Sequence, residues 1–133
     1  MSKLTRTNAI LPFTSTADLT SKEGYAVQNE TGGSVSLFSA TSGKKPFGII
    51  VHGTSIDEKS SIAVLSGGLG GTVKVKIAAP VEVGTILGVR SGGDFMLSTH
   101  VSADFACAQA LEEGVAGEMI EAVLFKPEAL NIA

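Results

Sequence analysis

The stretch from Gly71 to Gly88 constrains the fold most, because its pattern is that of a strand, a turn and a second strand. Its apolar side chains alternate with polar ones, as in a strand with one buried face: Val73, Val75 and Ile77. Pro80 cannot donate a hydrogen bond to a sheet, and Gly84 permits backbone angles that other residues resist. We therefore predict an antiparallel strand that turns at Pro80, with a neighbouring strand that returns through residues 85–90.

Two glycine pairs predict further hairpins. Gly32-Gly33 separates an alternating run that begins at Tyr25 from a second run around Val35, and Gly92-Gly93 separates residues 85–90 from residues 95–97. The continuous apolar run of residues 47–51 predicts a strand that is buried on both faces, and residues 62–65 predict a short strand. These patterns together predict an all-β fold with glycine-rich turns.

The segment from Ser102 to Leu111 fits two structures. Its alanines favour a helix, whereas Phe105, Cys107, Gln109 and Leu111 alternate as in a strand. Residues 112–117 form a hairpin-like link to an apolar run over residues 119–125, and strand pairing commonly overrides weak helix propensity. We predict a strand here, and we predict that Pro127 ends the last strand of the chain.

The size and composition of the chain limit the classes of protein to which it can belong. At 133 residues it fits one domain, and a net charge of −3 argues against a surface that neutralises phosphates, so no nucleic-acid partner is expected. No apolar run approaches the roughly 18 to 20 residues of a membrane-spanning helix, so no membrane partner is expected. The single cysteine fits synthesis in a reducing compartment. Charged residues make up only 17 %, which favours an oligomer or a partner surface.

Residues 1–17 are rich in Ser, Thr and Asn and predict an extended N-terminal arm, with residues 18–133 as the single β domain. Such an arm is disordered or becomes ordered by docking on a neighbour, and the simplest alternative is a frayed terminus. Its large apolar side chains cluster around a proline whose fixed φ lowers the entropy lost on docking. We predict that this cluster contacts a neighbouring subunit or another partner surface: Ile10, Leu11, Pro12 and Phe13.

Groups suited to catalysis are few. His52 at a strand end and His100 in a polar loop are more often packing or hydrogen-bonding residues, and Cys107 among alanines suggests a buried, inert thiol. The carboxylate pairs Asp57-Glu58 and Glu112-Glu113 fall in predicted turns, where they are solvated. The glycine cluster at residues 67–71 lacks the lysine and the helix of a phosphate-binding loop. We predict no catalytic site, no bound metal and no cofactor.

Several segments, taken in order, resemble the head decoration proteins of tailed bacteriophages, also called capsid cement proteins. They extend over roughly residues 18–127, and the similarity rests on their order rather than on any single motif. The segments are Lys45-Pro46-Phe47-Gly48-Ile49-Ile50, Gly71-Thr72-Val73-Lys74-Val75-Lys76, Val83-Gly84, Ala108-Gln109-Ala110-Leu111, Gly117-Glu118-Met119-Ile120 and Phe125-Lys126-Pro127.

This resemblance implies a compact β-barrel-like domain that assembles as a homotrimer on the outside of the phage head. It implies that the protein lies over junctions between major capsid protein subunits, that its location is the virion, and that it is not an enzyme. Residues 1–17 look longer than the usual lead-in of the family, and within this resemblance the cluster Ile10, Leu11, Pro12 and Phe13 is expected to face the capsid or a neighbouring subunit.

Two other classes of function are compatible with a small β domain. A small β-barrel module that binds carbohydrate or peptide would need an exposed aromatic platform, and one Tyr with six Phe supplies little. A hydrolase-like enzyme would need His52 or His100 paired with a nucleophile.

Overall fold

The computed structural model describes residues 10–39, 43–65, 72–97 and 103–129, and in these ranges the chain forms ten β-strands and no α-helix. The all-β prediction is confirmed. The strands are β1 (Ile10–Ser15), β2 (Ala26–Glu30), β3 (Ser34–Leu37), β4 (Gly48–His52), β5 (Lys59–Val64), β6 (Thr72–Lys76), β7 (Ile86–Arg90), β8 (Phe95–Leu97), β9 (Ala103–Ala110) and β10 (Met119–Ala129). Within the described ranges, no helix is long and apolar enough to cross a membrane.

Strands β1 to β5 form a closed barrel in the order β1-β3-β2-β4-β5. The first part of β1 runs antiparallel to β5, and its last residues, Thr14 and Ser15, run parallel to β3 and close the barrel. The barrel interior is filled by aliphatic side chains, with aromatic rings packed against them. Its buried residues are Leu19, Val27, Val35, Ile50 and Ile62. We call this barrel the first unit.

Strands β6 to β10 form a second five-stranded sheet in the order β6-β10-β9-β7-β8, and we call it the second unit. A parallel bridge between Ile77 and Phe95 joins the end of β6 to β8, the two outer strands of this sheet. With this bridge included, the second unit has the same neighbours and the same strand directions as the first. Strands β6 to β10 therefore correspond, one by one and in chain order, to β1 to β5.

Hydrogen bonds outside the strands repeat in the same way. Gly24 N donates to Ile50 O at 2.8 Å in the first unit, and Gly84 N donates to Ala110 O at 2.8 Å in the second. The turns between β2 and β3 and between β7 and β8 each hold two glycines at positive φ: Gly32, Gly33, Gly92 and Gly93. Because the backbone contacts and the glycine positions recur at one constant spacing, the chain is an internal structural repeat that the sequence analysis missed.

Most strand predictions are confirmed. The glycine pairs close the β2–β3 and β7–β8 hairpins, and the ambiguous segment forms strand β9. In β6, Val75 is buried, whereas Thr72 and Lys74 are exposed, and Ile77, directly after the strand, is buried as well. The alternation of residues along β6 therefore marked the buried face correctly.

Four details of the sequence prediction are wrong. Strand β7 does not pair with β6, because β10 and β9 lie between them. Strand β4 is buried only over Gly48–Ile50, whereas Val51 and His52 are exposed. Pro127 does not end β10, which continues to Ala129 with a register shift between Leu124 and Glu128. A proline is tolerated in a strand at such an irregularity.

The fourth correction concerns the predicted arm. Residues 10–15 are not an arm separate from the domain, because β1 pairs with β5 from Ile10 to Thr14 and with β3 at Thr14 and Ser15. Pro12 lies where β1 has β5 as its one neighbour, and a sheet tolerates a proline in that position. The described part of the barrel therefore begins at Ile10, and residues 1–9 of the predicted arm lie outside the described residues.

Candidate interaction surfaces

The two units meet where the β7–β8 turn of the second unit contacts the open end of the β2–β3 hairpin in the first. Ala26 N donates to Gly93 O at 2.7 Å, and Gly92 N donates to Phe38 O at 2.9 Å. A Cβ placed on Gly93 would lie 2.6 Å from Ala26 O. Since ordinary side chains do not fit at this distance, glycine is required where the turn approaches the neighbouring backbone.

A second contact between the units surrounds Gly24. Lys76 N donates to Gly24 O at 3.0 Å, and a Cβ on Gly24 would lie 2.5 Å from Met119 Sδ. Around these contacts the units share one apolar core, to which Ala26, Phe38, Ile49 and Leu65 of the first unit belong. The ring of Phe38 packs edge-on against Phe105 of β9, with centroids 5.9 Å apart. The units are thus joined by backbone hydrogen bonds and by a continuous core.

A groove of about 360 Å³ follows the seam between the units. Its walls are largely apolar, with Ile10 and Val51 from the first unit facing Val73 and Met119 from the second. Ile10 is 41 % exposed and Val51 is 40 % exposed, so the groove opens to solvent on the first unit's side.

The four residues predicted as a contact cluster all lie on β1. Ile10 and Pro12 are exposed, whereas Leu11 and Phe13 are half-buried. The ring of Phe13 packs edge-on against Phe47 with centroids 5.1 Å apart and belongs to the first unit's core. Of these four residues, Ile10 and Pro12 are therefore the ones exposed to a partner. Their role in capsid or subunit contact stays a prediction.

Exposed large hydrophobic side chains mark surfaces that the sequence analysis did not identify. Three of them, Val83, Ile86 and Leu111, lie together, since Gly84 N donates to Ala110 O and Ile86 pairs with Gln109. Among the described residues, the exposed large hydrophobics are Ile10, Val51, Ile56, Val83, Ile86, Leu111 and Val115. All are aliphatic, so this set contains no aromatic platform of the kind that carbohydrate binding uses.

The candidate catalytic side chains that the structure describes lie either at exposed positions or in the core. His52 is exposed at the end of β4, and the pairs Asp57-Glu58 and Glu112-Glu113 are exposed in turns, as predicted. Cys107 is fully buried, and desolvation raises the pKa of its thiol to about 12, which agrees with an inert cysteine. His100 and residues 67–71 lie outside the described residues. Within the described ranges, no three His, Cys, Asp or Glu side chains cluster as metal ligands would.

The two equivalent hairpins carry different ion pairs. In the first unit Lys44 Nζ lies 2.7 Å from Glu30 Oε1, and Ser36 Oγ and Gln28 Nε2 also donate to this carboxylate. These contacts, the Lys44 hydrogen bond foremost, lower the pKa of Glu30 to about 2. In the second unit Arg90 occupies the equivalent position and donates twice to Asp94, at 2.6 and 2.9 Å, which raises the pKa of Arg90.

Comparison with solved structures finds the same fold in a phage protein. The chain is similar to the head fiber gp8.5 N base in bacteriophage phi29, with a TM-score of 0.60 and 13 % sequence identity. The alignment covers 86 % of this chain and 92 % of that chain. No protein-family profile matches the chain, and no curated protein sequence is significantly similar to it. At this identity the comparison shows a shared fold over nearly the whole of both chains.

Proposed function

We propose that this protein is a structural component of a tailed-bacteriophage head. In this proposal it binds the outer surface of the shell as a homotrimer, bridges major capsid protein subunits and acts as a cement rather than as an enzyme. The observation that carries the proposal is the fold shared with the phi29 head fiber base over 86 % of this chain. The resemblance of the ordered sequence segments to head decoration proteins supports the same assignment independently.

The exposed apolar side chains support a role in assembly. Val83 is 66 % exposed and Val115 is 59 % exposed, which is costly for a chain that works as a free monomer. Binding to a shell that already exists adds its free energy to the assembled state, so the shell resists opening more strongly when it is decorated. A carbohydrate- or peptide-binding role gains no specific support from these aliphatic surfaces.

The direct test is to mix the purified protein with expanded heads that lack it. We expect the protein to sediment with the heads at saturating occupancy, and we expect decorated heads to withstand heat and low ionic strength better than bare heads. Failure to sediment with the heads would overturn the attachment, and equal heat resistance of bare and decorated heads would overturn the cement role.

The contact predicted for β1 can be tested in the same assay. Replacing the exposed Pro12 and Ile10 by serine should lower occupancy on heads if these side chains face the capsid or a neighbouring subunit. Ile56→Ser is the matched control, because Ile56 is also an exposed aliphatic residue of the first unit but lies in the turn before β5, beside the end of β1 opposite to Ile10. Equal occupancy of the Pro12→Ser/Ile10→Ser variant and the control would remove β1 from the contact.

A further inference from the structure

The contact between the two units has two dissimilar sides. The first unit contributes Gly24 and Ala26 at the start of β2, with Glu23 and Val51 along the groove. The second unit contributes the Gly92-Gly93 turn and Met119. Since the units are structural repeats, each side has a counterpart on the other unit, and among the described residues neither counterpart forms a contact of this kind.

The counterpart of the first side lies on the second unit, and we call it the free apolar face: Val83, Gly84, Ile86 and Leu111. These residues correspond to Glu23, Gly24, Ala26 and Val51. Ala26 is fully buried by the second unit, whereas Ile86 is 39 % exposed. A Cβ on Gly24 would collide with Met119, but no described atom lies within 4 Å of a Cβ placed on Gly84. The face is more apolar than its buried counterpart, since Val83 stands where the first unit has Glu23.

The counterpart of the second side lies on the first unit, and we call it the free turn: Gly32, Gly33 and Lys59. Gly33 has φ +77, close to the +94 of Gly93, so the two turns present their backbone similarly. A Cβ on Gly93 would lie 2.6 Å from the neighbouring unit, but no described atom lies within 4 Å of a Cβ on Gly33. Lys59 stands where the second unit has Met119.

Two glutamates lie beside the free apolar face, and two exposed lysines lie beside the free turn. Glu112 accepts a hydrogen bond from Glu121 N, and Leu111 N donates to Glu121 O, so two glutamates flank Leu111 in the free apolar face. Beside the free turn, the exposed Lys59 and Lys45 replace Met119 and Phe105 of the second unit. Docking of one surface on the other would therefore bring carboxylates towards ammonium groups around an apolar centre, an arrangement common in specific interfaces.

We propose that the free apolar face of one copy docks on the free turn of a second copy and repeats the contact between units inside the chain. The partner is thus another molecule of this protein, and the contact is head to tail, because the two surfaces differ. Heterologous contacts of this kind generate closed rings or open filaments. Closure into a homotrimeric ring of alternating first and second units rests on the proposed function, but the pairing of the two surfaces does not.

Cross-linking between singly substituted copies tests the pairing. Val83→Cys and Lys59→Cys place thiols on the two surfaces at exposed positions, and the native Cys107 is fully buried and does not compete. With a short bis-maleimide, a mixture of the two variants should give covalent dimers, whereas each variant alone should give only background. The double variant should give a ladder of oligomers. No dimers in the mixture, or efficient dimers from Val83→Cys alone, would overturn the proposal.

A matched pair of substitutions tests how much the free apolar face contributes to self-association. Ile86→Lys places a charge in the free apolar face and should weaken self-association about tenfold or more, as measured by sedimentation velocity. Ile56→Lys alters a residue that is 56 % exposed, outside both surfaces, and should leave the association constant unchanged. Equal effects of the two substitutions would count against the assigned face.

The outcomes separate this proposal from the proposed function. If the protein decorates heads as a homotrimer but the mixture of cysteine variants gives no dimers, the surface pairing is wrong and the structural role stands. If the dimers form but the protein does not attach to heads, the pairing stands and the role on the phage head is wrong.

Discussion

The two units have the same strand arrangement, but different side chains fill the equivalent positions of their cores. In the first unit, Ser15, Ser60 and Thr54 form a buried hydroxyl cluster, with Ser15 Oγ 2.6 Å from Ser60 Oγ. In the second unit the equivalent positions hold Ile77, Ile120 and Gly114. A Cβ on Gly114 would lie 2.6 Å from Ile120 Cγ2, so the glycine makes room for the larger side chains.

This difference shows that the strand order does not depend on one kind of core. Hydrogen-bonded hydroxyls satisfy one another in the first unit, and aliphatic packing replaces them in the second. A buried hydroxyl without its partners is costly, so changing a single member of either set should be less well tolerated than changing the whole set. We infer that the shared strand order is stabilised instead by the backbone hydrogen bonds that recur in both units.

The largest expected effect comes from substituting the equivalent turn glycines of the two units. Gly33→Ala should cost about 1 to 2 kcal/mol of stability, because φ is positive there and the space is open. Gly93→Ala adds a clash with the backbone of Ala26 and should cost about 2 to 5 kcal/mol in total. Urea unfolding at a concentration where the chain is monomeric measures both. Equal losses would mean that the contact between the units does not depend on the close approach at Gly93.

The sequence predicts the hairpins and strands of both units, but it does not predict which distant strands pair. Glycine pairs and alternating side chains identify hairpins and strands, because turn geometry and one-sided burial act over a few neighbouring residues. The pairing of β6 with β10 joins segments far apart in the chain, and nothing local encodes it. Residues 10–15 looked like an arm for the same reason, since the partner strand β5 comes much later in the sequence.

The repeat itself left a readable signal. Gly24, Gly32 and Gly33 recur at constant spacing as Gly84, Gly92 and Gly93, and Ser91 stands where the first unit has Thr31, but few identities otherwise connect the two segments. Backbone positions with positive φ restrict the residue strongly, whereas core positions accept any side chains that fill the space together. The contact surfaces could not be predicted, because the exposure of Ile86 and the burial of Ala26 depend on how the units meet.

A smaller effect is expected at Gly114, and it tests whether this glycine is required because of the isoleucines that pack around it. Gly114→Ala should cost about 1 to 3 kcal/mol, because the added methyl group overpacks against Ile120. In an Ile120→Ala background the shortest of the contacts, that with Ile120 Cγ2, is absent, so the same substitution should cost less than about 1 kcal/mol relative to that background. A double-mutant cycle by urea unfolding measures this coupling. Additive losses would show that Gly114 is required for another reason than room for Ile120.

The smallest expected effect distinguishes the ion pairs of the two hairpins by pH. The pKa of Glu30 is lowered from 4.5 to about 2, so its contribution to stability is present above pH 4.5 and is lost as the pH falls from 4.5 through 2. The equivalent Arg90 has a raised pKa and stays charged throughout this range. Stability measured by denaturant unfolding should therefore fall less steeply below pH 4.5 in Glu30→Gln than in the wild type.

Ser36→Ala provides the graded control for this measurement. It removes one of the donors to the Glu30 carboxylate but leaves Lys44, the foremost cause of the lowered pKa, in place. We expect its pH dependence to lie between those of the wild type and Glu30→Gln. If all three proteins lost stability equally between pH 4.5 and 2, the ion pair of the first hairpin would not contribute to folding.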